Sequence, residues 1–484
     1  MSAEAADMMR YLKIYLDNPI SKLGLRLMLK KDKESKKTYV ELALASLFGE
    51  EVKLPLGAKV AKFFIKKTIE RGMKIFSVPY EEVLEAFELP YSRRALASVL
   101  KGILNFGAKK PFTPGAPFLV VWDYTYRCNL RCKHCYIVAG VNRSEMSLEE
   151  RKKALDILAD AGVIIIAFSG GEPLLGPGIY DMIRRASDYG IYPAMATNGT
   201  LITEEVAERL AKAGLQYVQI SLDAPIPQIH DDFRGIPGAW ERTVKGIKNA
   251  KKAGLYVEIS MTITKLNYHL VPQMLELAKE LEADLFMHYN FIPTGRGKEI
   301  IELDISPSER EKLLKLLAEK TLSKEVQAAS TAPQYARIAL QLSADTGETF
   351  LAGHFYRYAS ESKLSPLADF IGGCGAGRAY IALEPNGDIQ PCVFMPIKVG
   401  NILKDDFEDL WRNNKIFNEL RNRELLKGPC AACEYKYVCG GCRARAYAYF
   451  GDYLASDPGC IYAIDWWNRV IKRVVKGAVH SPAI

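Results

Sequence analysis

Residues 118–292 alternate between short apolar runs and longer amphipathic segments. Apolar runs such as 163–169 are typical of strands buried on both faces of a parallel sheet. The segments between them place apolar residues at helical spacing. We predict strands at 118–123, 163–169, 192–197, 217–223, 256–264 and 285–292. Six strand–helix repeats predict an α/β fold with a parallel sheet, either doubly wound or closed into an open barrel.

The residues on either side of this region follow other patterns. Residues 1–115 read as helical, and the segment 58–76 places Ala61, Ile65 and Ile69 on one face while lysines cover the rest. A Pro- and Gly-rich stretch follows at 109–117, which is typical of a linker. We therefore divide the chain into an N-terminal helical region (1–115), a core (116–300), a helical connector (301–370), a cysteine-rich domain (371–465) and a C-terminal helix or tail (466–484).

The excess of basic over acidic residues lies entirely in the N-terminal region. The 484 residues carry a net charge of +8, and residues 1–115 hold 21 Lys and Arg against 13 Asp and Glu. A basic amphipathic surface suits packing against the protein body or contact with an anionic membrane surface. We expect no nucleic-acid partner. No signal peptide or transmembrane run is evident, so we expect a cytoplasmic protein, with peripheral membrane contact as an option.

Ten cysteines fall into one triplet and one group of seven, and none precedes residue 128. In a cytoplasmic chain, clustered cysteines are typical of metal ligands rather than disulfides. The triplet, Cys128-x3-Cys132-x2-Cys135, follows the first predicted strand. Three thiolates can hold three irons of a 4Fe–4S cube and leave the fourth iron open. Because His134 is adjacent, a zinc site with three cysteines and one histidine is the alternative.

The segment CNLRCKHC resembles the CxxxCxxC signature of the radical S-adenosylmethionine (radical SAM) superfamily. The resemblance implies a partial (β/α)6 TIM-like barrel in which SAM chelates the open iron. One electron from the cluster then cleaves SAM and releases a 5′-deoxyadenosyl radical, which abstracts hydrogen from a C–H bond. The protein supplies orientation and a dry site for this chemistry. The residue before the third cysteine, usually aromatic in the family, is His134 and would pack near adenine.

Further motifs at the ends of the predicted strands resemble the SAM-binding segments of this family. GGEP at 170–173 would bind the amino group of SAM, and HDDFRG at 230–235 contains an arginine that could meet its carboxylate. A last segment, FIPTGRG, follows the sixth strand at 291–297. The candidate SAM-binding residues are His134, Gly170, Gly171, Glu172, Thr197, Asn198, Ser221, Asp223 and Arg234.

The seven later cysteines resemble the SPASM domain, an extension of many radical SAM enzymes that binds two auxiliary 4Fe–4S clusters. By position, Cys430, Cys433, Cys439 and Cys460 would ligate an outer cluster. Cys374, Cys392 and Cys442 would ligate an inner cluster. Its fourth iron would either be bound by another residue or stay open to the substrate. The spacing Cys439-x2-Cys442, where x3 is usual, is similar to that of tetrapyrrole-modifying members. A pair of zinc-ribbon sites is the alternative.

The sequence thus predicts an enzyme with SAM and three 4Fe–4S clusters, reduced by a donor such as ferredoxin or flavodoxin. The basic helical region favours an apolar or membrane-associated substrate, such as a lipid chain or a tetrapyrrole. A peptide or protein maturase is the alternative within the family, since most SPASM relatives modify peptides. An iron–sulfur electron carrier without catalytic activity is the alternative from another class, although such a carrier has no use for the SAM-binding motifs.

Overall fold

The computed structural model describes residues 18–76, 79–346, 349–353, 356–360 and 368–475. Its centre is a ten-stranded sheet that curves into a barrel-like wall, with helices packed on its outer face. Within these ranges, no helix is both long enough and apolar enough to cross a membrane. The ends of the chain at 1–17 and 476–484, including the last part of the predicted tail, lie outside the described residues.

The part of the N-terminal region that the structure describes contains five helices: α1 (Pro19–Met28), α2 (Tyr39–Leu47), α3 (Leu56–Phe76), α4 (Tyr80–Glu88) and α5 (Pro90–Phe106). The predicted amphipathic helix is α3, which buries Ala61 and Ile65 against its neighbours. Arg94 of α5 donates hydrogen bonds to the carbonyl groups of Ala159 and Val163. Since Val163 leads into the second strand of the sheet, the helical region covers the end of the barrel at which the strands begin.

All six predicted strands are present and run parallel in sequence order. Alternate residues such as Val218 and Ile220 are buried under the outer helices, while the residues between them face the barrel interior. The elements are β1 (Leu119–Thr125), α6 (Leu148–Ala161), β2 (Ile165–Gly170), α7 (Ile179–Asp188), β3 (Tyr192–Thr197), α8 (Glu204–Lys212), β4 (Tyr217–Ser221), α9 (Pro227–Arg234), α10 (Ala239–Lys252), β5 (Tyr256–Ile263), α11 (Val271–Glu280) and β6 (Leu285–Asn290).

The connector contains strands as well as the predicted helices. Its elements are α12 (Pro307–Leu322), β7 (Ala328–Ser330), α13 (Gln334–Thr346), β8 (Thr349–Gly353), β9 (Tyr356–Ser360) and α14 (Ala368–Ile371). Strand β7 adds a seventh parallel strand beside β6, whereas β8 and β9 form a separate antiparallel pair. The three residues of β7 are Ala-Ala-Ser, which have no pattern typical of a strand, so only their pairing with β6 defines them.

The cysteine-rich region begins by extending the same sheet. Its elements are β10 (Tyr380–Leu383), β11 (Asp388–Gln390), β12 (Gly400–Asn401), α15 (Phe407–Asn413), α16 (Lys415–Arg421), α17 (Pro429–Ala432), α18 (Arg443–Phe450) and α19 (Ile464–Val475). Strand β10 pairs in parallel with β1. Because β1 leads directly into the cysteine triplet, this pairing brings the second cysteine group close to the first.

A cavity of about 1410 Å³ occupies the barrel interior. It extends from Ala95, Val99 and Ile103 of α5 to the loops that follow the strands, where Cys128 and Gly171 line it. In barrels of this kind, catalytic groups sit at the carboxyl ends of the strands. The fold therefore places the predicted SAM-binding motifs at one end of a large internal space and the N-terminal helices at the other.

Candidate active site

The loop after β1 carries Cys128, Cys132 and Cys135 at the carboxyl end of the barrel. All three cysteines line the large cavity and pack together with Leu130. Burial is the main cause that raises the pKa of the Cys128 thiol to about 12, and the two neighbouring cysteines raise it further. Such a thiol ionises when a metal binds it. Among the described residues, no three His, Cys, Asp or Glu side chains approach closely enough to hold a single metal ion.

His134 lies beside these cysteines and stacks on Phe233, with the ring centroids 4.2 Å apart. Burial lowers the pKa of His134 to about 3, so the imidazole is neutral at physiological pH. Its Nδ1 atom has no hydrogen-bond partner in the part of the chain that is described. A flat, neutral ring that lines the cavity is chemically suited to the predicted place beside an adenine.

Gly170 and Gly171 end β2 against the backbone of the cysteine loop. Gly170 has a φ of +110°, and a Cβ atom there would lie 2.7 Å from the carbonyl oxygen of Thr125. A Cβ atom on Gly171 would lie 2.1 Å from the carbonyl oxygen of Arg127. Only residues without a side chain allow the two strand ends to approach this closely. Both glycines line the cavity, where the SAM amino group is predicted to bind.

Glu172 is buried behind the cavity, between the ends of β2 and β3. Its carboxylate accepts hydrogen bonds from Thr197 Oγ1 at 2.8 Å and from the Asn198 backbone N–H at 3.0 Å. Burial raises the pKa of Glu172 to about 7 in spite of these bonds. Thr197 and Asn198 themselves line the cavity. The structure therefore gives Glu172 a positioning role, and direct pairing of its carboxylate with the SAM ammonium stays a prediction.

Ser221 lines the cavity at the end of β4, and Asp223 is buried behind it. Arg234 Nε donates a hydrogen bond of 2.6 Å to Asp223 Oδ2, and Arg234 Nη1 lies 3.7 Å from Cys132 Sγ. Burial opposes ionisation of Asp223, but the adjacent Arg234 holds the pKa of this carboxyl below its usual value. The ion pair fixes a positive charge beside a cysteine sulfur, at a point of the cavity where an anionic group could also bind.

A row of polar side chains inside the barrel was not predicted. Tyr217, Gln219, Glu258 and Tyr289 line the cavity on β4, β5 and β6. The Tyr217 hydroxyl donates to Glu258, and the Tyr289 hydroxyl donates to Gln219 Oε1 at 2.7 Å. Burial raises the pKa of Glu258 to about 7, and its Oε1 has no hydrogen-bond partner among the described residues. A sequence signal exists, since Gln219 and Glu258 interrupt otherwise apolar strands at equivalent positions.

The opposite side of the cavity is mainly apolar, apart from Ser169 near the end of β2 and Tyr192 at the start of β3. Leu119 and Val121 of β1, Ala167 of β2 and Ala194 of β3 face the interior there. Alanine at two of these positions leaves the space wide. The barrel interior therefore has one apolar wall on β1–β3 and one polar wall on β4–β6.

The cysteines predicted for the inner cluster lie together around a second, smaller void. Burial raises the pKa of the Cys442 thiol, and the nearby Cys374 and Cys392 add to the shift. The Tyr380 hydroxyl donates a hydrogen bond of 2.7 Å to Cys392 Sγ. No fourth cysteine is among the described residues that line this void. The void and the main cavity share three lining residues, which are Ile292, Thr331 and Phe394.

The cysteines predicted for the outer cluster form a separate neighbourhood. Burial raises the pKa of Cys439, and the nearby Cys460 and Cys430 act in the same direction. Burial also raises the pKa of Cys433, with Cys430 again adding to the shift. The backbone N–H of Cys374 donates to the carbonyl of Cys439 at 3.1 Å, which joins the two neighbourhoods. The structure thus separates the seven cysteines into sets of three and four.

Two family models match the chain. The model of the radical SAM superfamily matches residues 122–283, which begin within β1 and end after α11. The SPASM model, described as an iron-sulfur cluster-binding domain, matches residues 374–434. The matched ranges contain the cysteine triplet and four of the seven later cysteines, respectively.

Several proteins of known activity are similar over most of their own length. The AdoMet-dependent heme synthase of Methanosarcina barkeri is 39% identical over 351 residues, which are 72% of this chain and 97% of that protein. The enzyme of the same name from Nitratidesulfovibrio vulgaris is 35% identical and covers 71% and 92% of the two chains. The mycofactocin maturase MftC of Mycobacterium tuberculosis is 30% identical and covers 72% and 83%.

Solved structures share the fold at low sequence identity. Streptococcus suis SuiB bound to S-adenosylmethionine superposes with a TM-score of 0.61 at 19% identity, covering 88% of this chain and 93% of that one. The enzyme anSMEcpe with bound AdoMet and a peptide gives a TM-score of 0.54 at 21% identity, with 74% and 98% covered. These structures show the fold, while the heme synthase relatives and both domain matches show that the chain belongs to the radical SAM superfamily of enzymes and carries a SPASM iron–sulfur domain after its barrel.

Proposed function

We propose that this radical SAM enzyme modifies a side chain of an iron-bearing tetrapyrrole. The observation that carries the proposal is the barrel cavity of about 1410 Å³ with one apolar and one polar wall. Pockets for drug-sized ligands usually measure about 300–1,000 Å³, so this space suits SAM and a large, flat substrate together. Relatives named AdoMet-dependent heme synthase, Fe-coproporphyrin III synthase and pre-heme d1 synthase support the same class.

In this proposal Cys128, Cys132 and Cys135 hold the SAM-binding 4Fe–4S cluster, and the seven later cysteines hold two auxiliary clusters. With SAM bound, the first cluster supplies a 5′-deoxyadenosyl radical that removes hydrogen from a substrate C–H bond. Gly170, Gly171, Thr197, Asn198, Ser221 and Arg234 then fix SAM at the cavity, with His134 beside its adenine. A small redox protein such as ferredoxin or flavodoxin would deliver the electron.

The two walls of the cavity suit the two parts of a tetrapyrrole. The ring system is flat and apolar, so Val121, Ala167 and Ala194 can contact its face and remove apolar area from water. The edge of a heme-type ring carries carboxylates. Glu258, whose pKa burial raises to about 7, is largely protonated below neutral pH and can then donate a hydrogen bond to such a carboxylate. Tyr217 and Tyr289 add further hydroxyl groups along the same wall.

A substrate in the barrel would also lie next to the inner cluster. Ile292, Thr331 and Phe394 separate the main cavity from the void that Cys374, Cys392 and Cys442 surround. A single layer of side chains is a short path for an electron. We propose that the substrate radical left after hydrogen abstraction is oxidised by giving one electron to the inner cluster across this layer, which reduces that cluster.

Ala167→Phe tests the proposed binding place. Because Ala167 faces the cavity, the ring should occupy substrate space without disturbing the packed core. We expect iron coproporphyrin III to bind at least ten times more weakly, a loss of about 1.4 kcal/mol, while 5′-deoxyadenosine formed without substrate changes less than about twofold. Absorbance titration under anaerobic conditions measures the affinity. Ala253→Phe, a substitution at a half-buried position outside the cavity lining, serves as the control.

Two results would contradict the tetrapyrrole proposal. Iron coproporphyrin III that neither binds nor stimulates SAM cleavage would exclude that substrate class. If Ala167→Phe and Ala253→Phe weakened the binding of iron coproporphyrin III equally, the binding site would lie outside the barrel. Stimulation of SAM cleavage by a peptide substrate instead would favour a maturase, as the relatives MftC and PqqA peptide cyclase are named.

We also propose that the N-terminal helices rest on an anionic membrane surface. The outer faces of α1 and α3, which contact each other, expose Leu23, Leu27, Val60, Phe63 and Phe64. Their exposed fractions lie between 51% and 63%. Lysines and arginines surround these side chains and supply the excess positive charge of residues 1–115. Basic side chains can contact anionic lipid headgroups while the apolar side chains among them enter the acyl region below. Each basic residue near the surface adds about 1 kcal/mol to the free energy of membrane binding.

Sedimentation with vesicles of phosphatidylcholine and phosphatidylglycerol tests this surface. We expect the double variant Phe63→Ser and Phe64→Ser to reduce the bound fraction at least fivefold, since each aromatic ring loses an apolar contact of about 1.5–3 kcal/mol. Leu425→Ser, at a leucine that is 41% exposed elsewhere on the protein, should bind like the unchanged enzyme. A bound fraction that changes neither with the double substitution nor with the phosphatidylglycerol content would contradict the proposal.

A further inference from the structure

Three buried arginines beside the auxiliary cysteines have no carboxylate partner among the described residues. Arg378, Arg423 and Arg443 are 3%, 2% and 0% exposed. Their hydrogen bonds go to backbone carbonyl groups, and in one case to a sulfur atom. Burial of an unpaired charge is costly, so a fully buried arginine normally lies beside an acid. Asp452 is an acidic neighbour of Arg443 beyond ion-pair distance, whereas no carboxylate contributes to the pKa of Arg378 or Arg423, so their negative charge must come from another source.

Cysteines of both sets lie next to these arginines. Arg443 Nη2 lies 3.9 Å from Cys430 Sγ, in the set of four cysteines. Arg378 Nε contacts the carbonyl of Cys374, in the set of three. Burial and the neighbouring Arg423 lower the pKa of Arg378 to about 9, and Cys374 opposes that change. A cluster bound by thiolates is an anion, and it would supply the missing charge for each arginine.

Arg423 lies between the two sets. Its Nη2 donates a hydrogen bond of 2.8 Å to the carbonyl of Cys374. The guanidinium also packs against Gly440, where a Cβ atom would lie 2.5 Å from its Cζ. Gly440 belongs to the short loop that joins Cys439 of one set to Cys442 of the other. Burial and the neighbouring Arg443 lower the pKa of Arg423, while cysteines of both sets, Cys374 first and then Cys439, act in the opposite direction.

We infer that Arg423 is a positive charge shared by both auxiliary clusters and that it raises the reduction potential of each. A reduced cluster carries one more negative charge than an oxidised one, so a nearby cation stabilises the reduced form. Net charge and hydrogen bonding around the ligands are the established means by which a protein sets such potentials. The inference rests on the cluster assignment proposed above. With Arg423 in place, both auxiliary clusters accept electrons more readily. A change at Arg423 therefore alters both reduction potentials together.

Redox titrations followed by electron paramagnetic resonance test the inference. The parent protein is the full chain with Cys128, Cys132 and Cys135 changed to alanine, so that only auxiliary signals remain. Arg423→Gln should shift both midpoint potentials to more negative values at unchanged iron content. Arg423→Lys, which keeps the charge, should stay close to the parent. Arg443→Gln should shift the signal of one cluster more than that of the other.

Arg421→Gln is the matched control. Arg421 also lacks a carboxylate partner among the described residues, but it lies over the Trp411 ring, 4.3 Å from its centroid, and no cysteine contributes to the shift of its pKa. Midpoint potentials that do not change in Arg423→Gln would overturn this inference but not the cluster assignment. Equal shifts in Arg423→Gln and Arg421→Gln would do the same. Loss of iron from both Arg423→Gln and Arg423→Lys would show that Arg423 is needed for folding of the domain, which would also overturn the inference. A parent protein without auxiliary iron would overturn the cluster assignment and this inference with it.

Discussion

Changing Cys128, Cys132 and Cys135 together to alanine is expected to abolish formation of 5′-deoxyadenosine from SAM. The three sulfurs line one end of the cavity, and in the proposed function they are the protein ligands of the 4Fe–4S cluster whose open iron binds SAM. Reconstituted enzyme with three 4Fe–4S clusters should contain about 12 irons per chain, and the triple variant about 8. Incubation with dithionite and SAM under anaerobic conditions, followed by chromatography, measures the product.

The complementary variant separates the two cysteine groups. Changing Cys374, Cys392 and Cys442 to alanine should also lower the iron content to about 8 but leave cleavage of SAM measurable. Substrate turnover should fail, because the proposed electron exchange with the inner cluster is lost. If the first triple variant still formed 5′-deoxyadenosine, the SAM cluster would lie elsewhere. If the second abolished cleavage of SAM, the two groups would not act separately.

Asp304→Asn is expected to lower the free energy of unfolding by about 3–5 kcal/mol, because it removes the charge that two buried arginines share. Asp304 is 1% exposed. It accepts hydrogen bonds from Arg310 Nη2 and the Tyr449 hydroxyl, each at 2.7 Å, and from Arg445 Nη2. Of these, Arg310 lies on α12 and Arg445 on α18, three residues after Cys442. The carboxylate thus joins the cysteine-rich domain to the connector.

Urea unfolding followed by circular dichroism under anaerobic conditions measures this loss. We also expect Asp304→Asn to bind less auxiliary iron, since Arg445 holds the helix that follows Cys442. Asp232→Asn is the control, because its ion pair with Lys133 is exposed (66% and 42%) and should contribute less than about 1 kcal/mol. A change below about 1 kcal/mol in Asp304→Asn would show that Asp457, 3.5 Å from Arg445 Nε, compensates for the missing charge.

The strands, and the position of the candidate SAM-binding motifs at the strand ends, could be predicted because their signals are local. The strand predicted at 192–197 has the same bounds in the structure, and the other five differ by one to two residues at an end. Parallel strands need apolar residues on both faces, and this leaves a continuous run in the sequence. The cysteine triplet spans eight residues, so its convergence at the cavity is a property of one loop. Glycines at the end of β2 are likewise explained by a close approach to that loop.

Other features became visible only in three dimensions. Strand β7 has three small residues, and pairing with β6 alone makes it a strand. The polar wall depends on which face of each strand turns inward, as Gln219 and Glu258 do. The hydrogen bonds that the Glu172 carboxylate accepts from Thr197 and Asn198 at the end of β3 also became visible only in the structure.

By itself, the sequence determined the class of chemistry: a loop of three cysteines, a glycine-rich strand end and the alternation of strands and helices are each written within a few dozen residues. Tertiary structure alone decided how the parts cooperate, since β10 pairs with β1 and Arg445 meets Asp304 across 141 residues of chain. Contacts over such separations leave no periodicity in the sequence. They form only when burial of the whole core brings distant segments together, and that burial also determines where uncompensated charges such as Arg423 require a partner.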